Sequence, residues 1–161
     1  MDSVTILHFL TESAYLIIVF TVFLTMAIIR GRQTVINHIA GLYLAVLITS
    51  QFPYYDALLS SLSKTSMIAV AKLVIFILVT IACTKLFKRI MPEEYREGRF
   101  ESFGKKIMLS LGATILVMIF SFNVLPVTEL LTPGTPIQSL FAPEQYYFWW
   151  LILPLIFLYL N

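Results

Sequence analysis

The sequence predicts an all-α fold, a polytopic membrane helix bundle with four transmembrane helices and a fifth at the C-terminus. Three observations predict it. The 161 residues are 59% hydrophobic and 12% charged, with a mean hydropathy of +0.89, about half the charge of an ordinary soluble domain. The apolar residues fall into separate runs of the length that crosses hydrocarbon. One segment, residues 85–106 (KLFKRIMPEEYREGRFESFGKK), holds seven of the eleven Lys/Arg and four of the nine Asp/Glu. Such a block belongs in water or at a headgroup surface, and its basic excess says which side of the membrane that is.

The first apolar run covers residues 13–29 and stops at Arg30, Gly31 and Arg32. Residues 3–13 can extend it as an amphipathic collar. No small-residue cleavage signature follows, so this segment reads as a retained helix and not as a signal peptide. The second run, 34–52, begins after a bend of a few residues and closes at Pro53, which makes the first two spans an antiparallel hairpin. A Ser-rich, nearly neutral connection leads to a third span, 67–87, with Thr65 or Ser66 as N-cap and Lys85, Lys88 and Arg89 at its C-terminal end, where the helix dipole favours cations.

Pro92, Glu93 and Glu94 open a short interfacial helix within the basic loop 88–106. The fourth span is 107–125, ended by Pro126. Residues 126–142 then read as an irregular Pro-rich loop whose Leu130, Leu131, Ile137, Leu140 and Phe141 need cover. Pro143 and Glu144 start the fifth span, 143–161. Tyr146, Tyr147, Trp149 and Trp150 form an interfacial belt in it, and Pro154 is a site for a kink. At about 1.5 Å per residue this last run covers roughly 28 Å, just enough for a hydrocarbon core of about 30 Å. The alternative is a partly inserted segment covered by protein.

Placing the 85–106 block in the cytosol puts the Arg30–Arg32 bend on the same side, with the Ser-rich and Pro-rich loops outside. The resulting topology is N-terminus outside and C-terminus cytosolic in a plasma membrane. Every connection then obeys the positive-inside rule. The cytosolic basic surface comprises Arg30, Arg32, Lys85, Lys88, Arg89, Lys105 and Lys106.

Composition excludes several classes. No basic stripe suited to nucleic acid is present. The single cysteine, Cys83, sits in an apolar run, so no disulfide framework or cysteine metal site forms within one chain. No zincin helix, nucleophile elbow, phosphate-cradling glycine loop or paired carboxylates occur, and neither enzymatic activity nor a cofactor or metal is expected. Glu12 and Lys72 are the ionisable groups nearest the membrane interior. Glu12 lies about 27 Å before Arg30 along a helix and Lys72 about 20–24 Å before Lys85 and Lys88, so the two share a depth. They read as an intramembrane pair, for a gate or proton-linked site, or more simply as a structural pair or as two side chains that snorkel separately. Asn37, His38 and Asn123 are candidates for a polar lining. The simpler reading of His38 is a hydrogen bond across the hairpin.

Ala40, Gly41 and Ala45 in the second span, with Ser110, Gly112, Ala113 and Thr114 in the fourth, let backbones approach closely. A homo-oligomer interface is the sharper reading of these small residues, and packing within the monomer the favoured one. The basic loop fixes topology, binds anionic lipid or docks a cytosolic protein. The outer Pro-rich loop is the better surface for a membrane or envelope protein partner.

One resemblance emerges from these features. The first span ends in Ile29, Arg30, Gly31 and Arg32, and the second helix follows at once with Gly41. The third span ends in Lys85, Leu86, Phe87, Lys88 and Arg89, and the fourth is entered through Phe103, Gly104, Lys105 and Lys106. Over residues 15–125 this pattern resembles the colicin V production (CvpA) family of small multi-pass bacterial inner-membrane proteins. The chain departs from that family in having few glycines, no acidic residue right after the arginines and an extra C-terminal aromatic helix. The resemblance implies a non-enzymatic accessory or scaffold role in export or envelope maintenance. A small transporter or channel subunit with a polar path between helices is the alternative.

Overall fold

The computed structural model describes residues 3–55, 60, 65–91, 103–123, 136–141 and 143–160, with side chains described from Ser13 onward except those of residues 65, 66, 123, 136–138 and 144. The described residues form helices α1 (Ser3–Arg30), α2 (Arg32–Ser50), α3 (Thr65–Ile90), α4 (Phe103–Asn123), α5 (Pro136–Phe141) and α6 (Glu144–Tyr159). Four of these, α1 to α4, are long and apolar enough to cross a membrane. The chain is therefore an all-helical, multi-pass membrane protein in form. The helix α6, with 16 residues, is shorter, about 24 Å along its axis.

Local chemistry sets the boundaries. The helix α1 ends with Arg30 in its last turn, where a cation complements the carbonyl end of the dipole. Gly31 then takes φ 88° and ψ 163°, a region open essentially to glycine. That single residue reverses the chain, and Thr34 N–H donates to the Gly31 carbonyl at 3.3 Å as α2 begins. The last turn of α3 carries Lys88 and Arg89 in the same favourable position. Pro143, with φ −63°, stands at the N-cap of α6, and Tyr146 N–H donates back to its carbonyl at 3.1 Å.

The helix α4 is the axis of the bundle. Of its span 61% is buried, against 11% for α1 and 17% for α3. It packs against α1, α2 and α6, while α2 packs most extensively on α3. Leu109, Ala113, Leu116, Met118 and Ile119 of α4 are fully covered. Phe120 meets Tyr43 of α2 and Phe76 of α3 edge-on, each at a 6.4 Å centroid separation. The outward residues of α1 and α3, among them Ile18, Val22, Ile29, Val74, Leu78 and Ile81, are exposed apolar side chains. In a bilayer these face hydrocarbon, which is why a helix buried on one side reads as apolar all round.

Small residues mark the closest approaches. A Cβ built on Gly41 would lie 2.5 Å from Thr84 Oγ1 and 3.0 Å from Thr84 N, so α2 and α3 touch backbone to backbone there. Gly112 meets Pro154 and Phe157 of α6. Ala45, Ser110, Ala113 and Thr114 are likewise buried. The small stripes of α2 and α4 thus serve packing within one chain.

Two expectations need correction. Residues 136–141, expected to be part of an irregular loop, form the short helix α5. Phe141 is buried there and stacks on Trp150 at 4.8 Å, while Leu140 stays exposed. Its proline suits the first turn of a helix, and the apolar ring gains cover on α6. Lys106, expected on the basic surface, lies inside α4 and is 7% exposed. The helix starts at Phe103, earlier than the expected 107, so its first turns enter the bundle. The interfacial helix expected after Pro92, and the loop residues Leu130 and Leu131, lie outside the described residues.

Candidate functional site

The basic end of the bundle gathers most of the candidate residues. The Gly31 reversal places Arg30 and Arg32 on either side of one bend. Gln33 Nε2 donates to Met91 Sδ at 3.7 Å, which brings the end of α3 to the start of α2. Tyr15 and Ser121 share a hydrogen bond of 2.8 Å between the early part of α1 and the late part of α4. The two helices therefore run antiparallel, and the start of α4 lies beside the α1–α2 bend. Arg30, Arg32, Lys85, Lys88, Arg89, Lys105 and Lys106 all fall at this one end. Arg30, Lys85, Lys88, Arg89 and Lys105 are exposed, Arg32 is half-buried and Lys106 is buried.

Just inside this rim is a small polar layer. Asn37 is buried, and Gln33 Nε2 donates to its Oδ1 at 3.3 Å. Asn37, Gly41 and Ala45 recur every four residues, and Gly41 meets α3, so Asn37 belongs to the α2–α3 seam. His38 lies next to it in sequence but turns elsewhere. Its Nδ1 is 2.7 Å from the Thr34 carbonyl in its own helix, and its ring meets Phe23 of α1 edge-on at 6.4 Å. The expected hydrogen bond across the hairpin is thus intrahelical, and the contact across the hairpin is aromatic.

The other candidates lie at the opposite end. Lys72, near the start of α3, places its ammonium 5.7 Å from the centre of the Tyr55 ring. Burial pushes the Tyr55 phenol above its ordinary value of 10.0. Asn123 is the last residue of α4. Its side chain, and that of Glu12, lie outside the described residues, so the proposed pairing of Glu12 with Lys72 does as well. Asn37 and His38 stand at the basic end while Lys72 and Asn123 stand at the far end. The structure does not bring this set together at one level.

The buried hydroxyls follow a common rule. Thr49, Thr80 and Thr114 donate to the carbonyl four residues back at 2.7, 2.8 and 2.7 Å, and Ser110 does the same onto Lys106 at 2.7 Å. Hydroxyls in apolar surroundings are satisfied this way without any partner helix. Thr84 departs from it: its buried Oγ1, pressed against Gly41, has no hydrogen-bond partner among the described residues.

Sequence reasoning missed Tyr15, Tyr43 and Gln33. Each carries a polar tip in the middle or at the rim of an apolar run. Such a tip needs an acceptor from another helix when it is buried, and this signal was available. No protein-family model, curated protein or solved structure matches the chain.

Proposed function

We propose that this protein is a small multi-pass accessory or scaffold protein of the plasma membrane, non-enzymatic and acting through membrane or envelope partners. Its N-terminus lies outside and its C-terminus in the cytosol. The resemblance to the CvpA family points to a bacterial inner membrane and a role in export or envelope maintenance. One observation carries the choice over a transporter or channel subunit. Among the described residues the polar side chains within the spans are scattered and, apart from Thr84, individually satisfied, with hydroxyls turned onto their own helices and Lys72 over an aromatic ring. A conducting path needs them to converge on a wetted line.

Cysteine-scanning accessibility tests this reading, with single probes at Ser3, Ser61, Ser102, Ser139 and Asn161 in a Cys83→Ala background. Further probes stand beside Glu12 and His38. Labelling of Ser102 and Asn161 from the cytosolic side, and of the others from outside, is expected, with the intramembrane probes unreactive. Reaction of the probes beside Glu12 and His38 with a membrane-impermeant reagent would replace the accessory reading with the transporter one.

A further inference from the structure

We propose that this bundle is matched to a bilayer whose hydrocarbon core is thinner than the usual one of about 30 Å, and that phospholipids with short acyl chains are its preferred neighbours. Two helices in different parts of the bundle carry the inference. The helix α3 packs mainly on α2, and α6 mainly on α4.

On α3 the exposed apolar side chains Val74, Ile77, Leu78 and Ile81 face hydrocarbon. Lys72 stands before them and the exposed Lys85 after them, thirteen positions and about 20 Å apart on one helix. A charged group, alone or paired, is costly in hydrocarbon, so each of the two marks a level where the core has ended. A helical side chain leans toward the N-terminus of its helix, which tips the Lys85 stem toward the apolar belt and gives it no reach beyond. At the other end the Lys72 ammonium lies over the ring of Tyr55, just past α2, whose last residues Ser50 and Gln51 are exposed and polar. Even measured from Lys72 to Lys88, the run is only about 24 Å.

On α6 the exposed Tyr146 and Tyr159 are also thirteen positions apart, again about 20 Å. Their polar tips belong at the two interfaces, with Phe148, Trp149, Leu155 and Ile156 exposed between them. Tyr159 is 90% exposed, so the bundle gives its hydroxyl no shelter from lipid.

The two belts are offset. Thr84 against Gly41 puts Lys85 level with Ala40 of α2, while the bond from Tyr43 to the Leu151 carbonyl puts Tyr159 level with Val35. That difference is five positions, about 8 Å. A tilt of the bundle brings the belts level, and tilt only shortens what each presents along the bilayer normal.

Reconstitution of the full chain in phosphatidylcholine bilayers with monounsaturated chains of 14 to 22 carbons tests the proposal. Quenching of the exposed Trp149 by a brominated phosphatidylcholine reads the relative affinity for each lipid. Affinity is expected to peak at about 14–16 carbons and to be about threefold weaker at 22. Lys85→Leu extends the apolar run of α3 to Lys88 and should move the peak to longer chains, while Lys88→Leu leaves Lys85 in place and should not move it. A peak at 18 carbons or longer in the native chain, or equal affinity at every length, would overturn the proposal. An unmoved peak in Lys85→Leu would overturn Lys85 as the boundary. If that variant does not accumulate, the native profile alone decides.

Discussion

The Tyr43 hydroxyl of α2 donates its hydrogen bond to the Leu151 carbonyl of α6. Leu151 stands three residues before Pro154, which lies inside α6 and supplies no N–H to the helix. Proline removes the N–H that the Trp150 carbonyl would accept and pushes the turn before it apart, so the adjoining Leu151 carbonyl opens to a donor from a neighbouring helix. Tyr43 is such a donor, carried on a ring that also packs against Phe120. Tyr43→Phe is expected to cost about 1 kcal/mol, the usual worth of a hydrogen bond between membrane helices. In a Pro154→Ala background, with the ladder restored, the same change should cost less. A double-mutant cycle of unfolding in mixed micelles measures that coupling, and strictly additive effects would count against it.

Gly41 and Thr84 make the closest contact between α2 and α3. Gly41→Ala brings a methyl group against the backbone of Thr84 at 3.0 and 3.1 Å as well as its hydroxyl. Backbone cannot swing aside, so a loss of about 2–3 kcal/mol is expected from overpacking. Gly112→Ala meets the edge of the Phe157 ring at 3.1 Å and Pro154 only at 3.5 Å; a ring can shift, and the cost should be clearly smaller. Thr84→Ala removes an unpartnered hydroxyl and should change stability by less than about 0.5 kcal/mol. It should rescue Gly41→Ala only in part, because the backbone contact remains. Unfolding in detergent for the three single variants and the Gly41→Ala/Thr84→Ala pair ranks these costs. Full rescue would show that the hydroxyl alone sets the spacing.

The architecture was legible because spans follow from run length and charge. Each of α1 to α4 coincides with an apolar run, and Arg30, Gly31 and Arg32 announce the hairpin without any knowledge of packing. Burial within the bundle was not legible. Every span looks apolar, whether it faces lipid as Ile18 and Leu78 do or protein as Leu116 and Ile119 do, since the two environments are chemically alike. Lys106 illustrates the consequence. Its sequence context is the end of a charged loop, and only the folded chain reveals that it is covered. Asn37 and His38 were recognised as polar, but their partners depend on helix rotation, which a near-uniform apolar pattern does not specify.

Tyr55 ties the connection after α2 to the start of α3 through the Lys72 ammonium and through Phe52, whose ring centre is 5.1 Å from its own. Its phenol is raised above 10.0 by burial. A raised value in the folded state means that the folded chain holds this proton more tightly than the unfolded chain. The associated stability is complete below the unfolded value and is lost as the pH climbs through the higher folded one. Stability should therefore fall on the alkaline side of pH 10 in the native chain and fall less in Tyr55→Phe. Ultraviolet titration of the phenols alongside thermal unfolding checks both. An identical alkaline profile in the two proteins would remove Tyr55 from the explanation.

Gly31 offers the sharpest test of how the basic bend is made. Its φ of 88° is the one positive value found among the described residues, and a Cβ there would meet nothing within 4 Å. Any penalty for Gly31→Ala is therefore conformational and not steric crowding from neighbours. The combination of φ 88° with ψ 163° costs an ordinary residue of order 1–3 kcal/mol. Gly104 is the matched control, since it too has open space but sits in the first turn of α4 without a positive φ. Gly104→Ala should be neutral or stabilise by up to about 1 kcal/mol, the helix preference of alanine over glycine. Opposite signs for the two substitutions, read from unfolding midpoints in the same detergent, are the expected outcome. A neutral Gly31→Ala would mean that the bend between Arg30 and Arg32 has a second conformation open to any residue, and the hairpin would then owe its geometry to helix packing and not to the glycine.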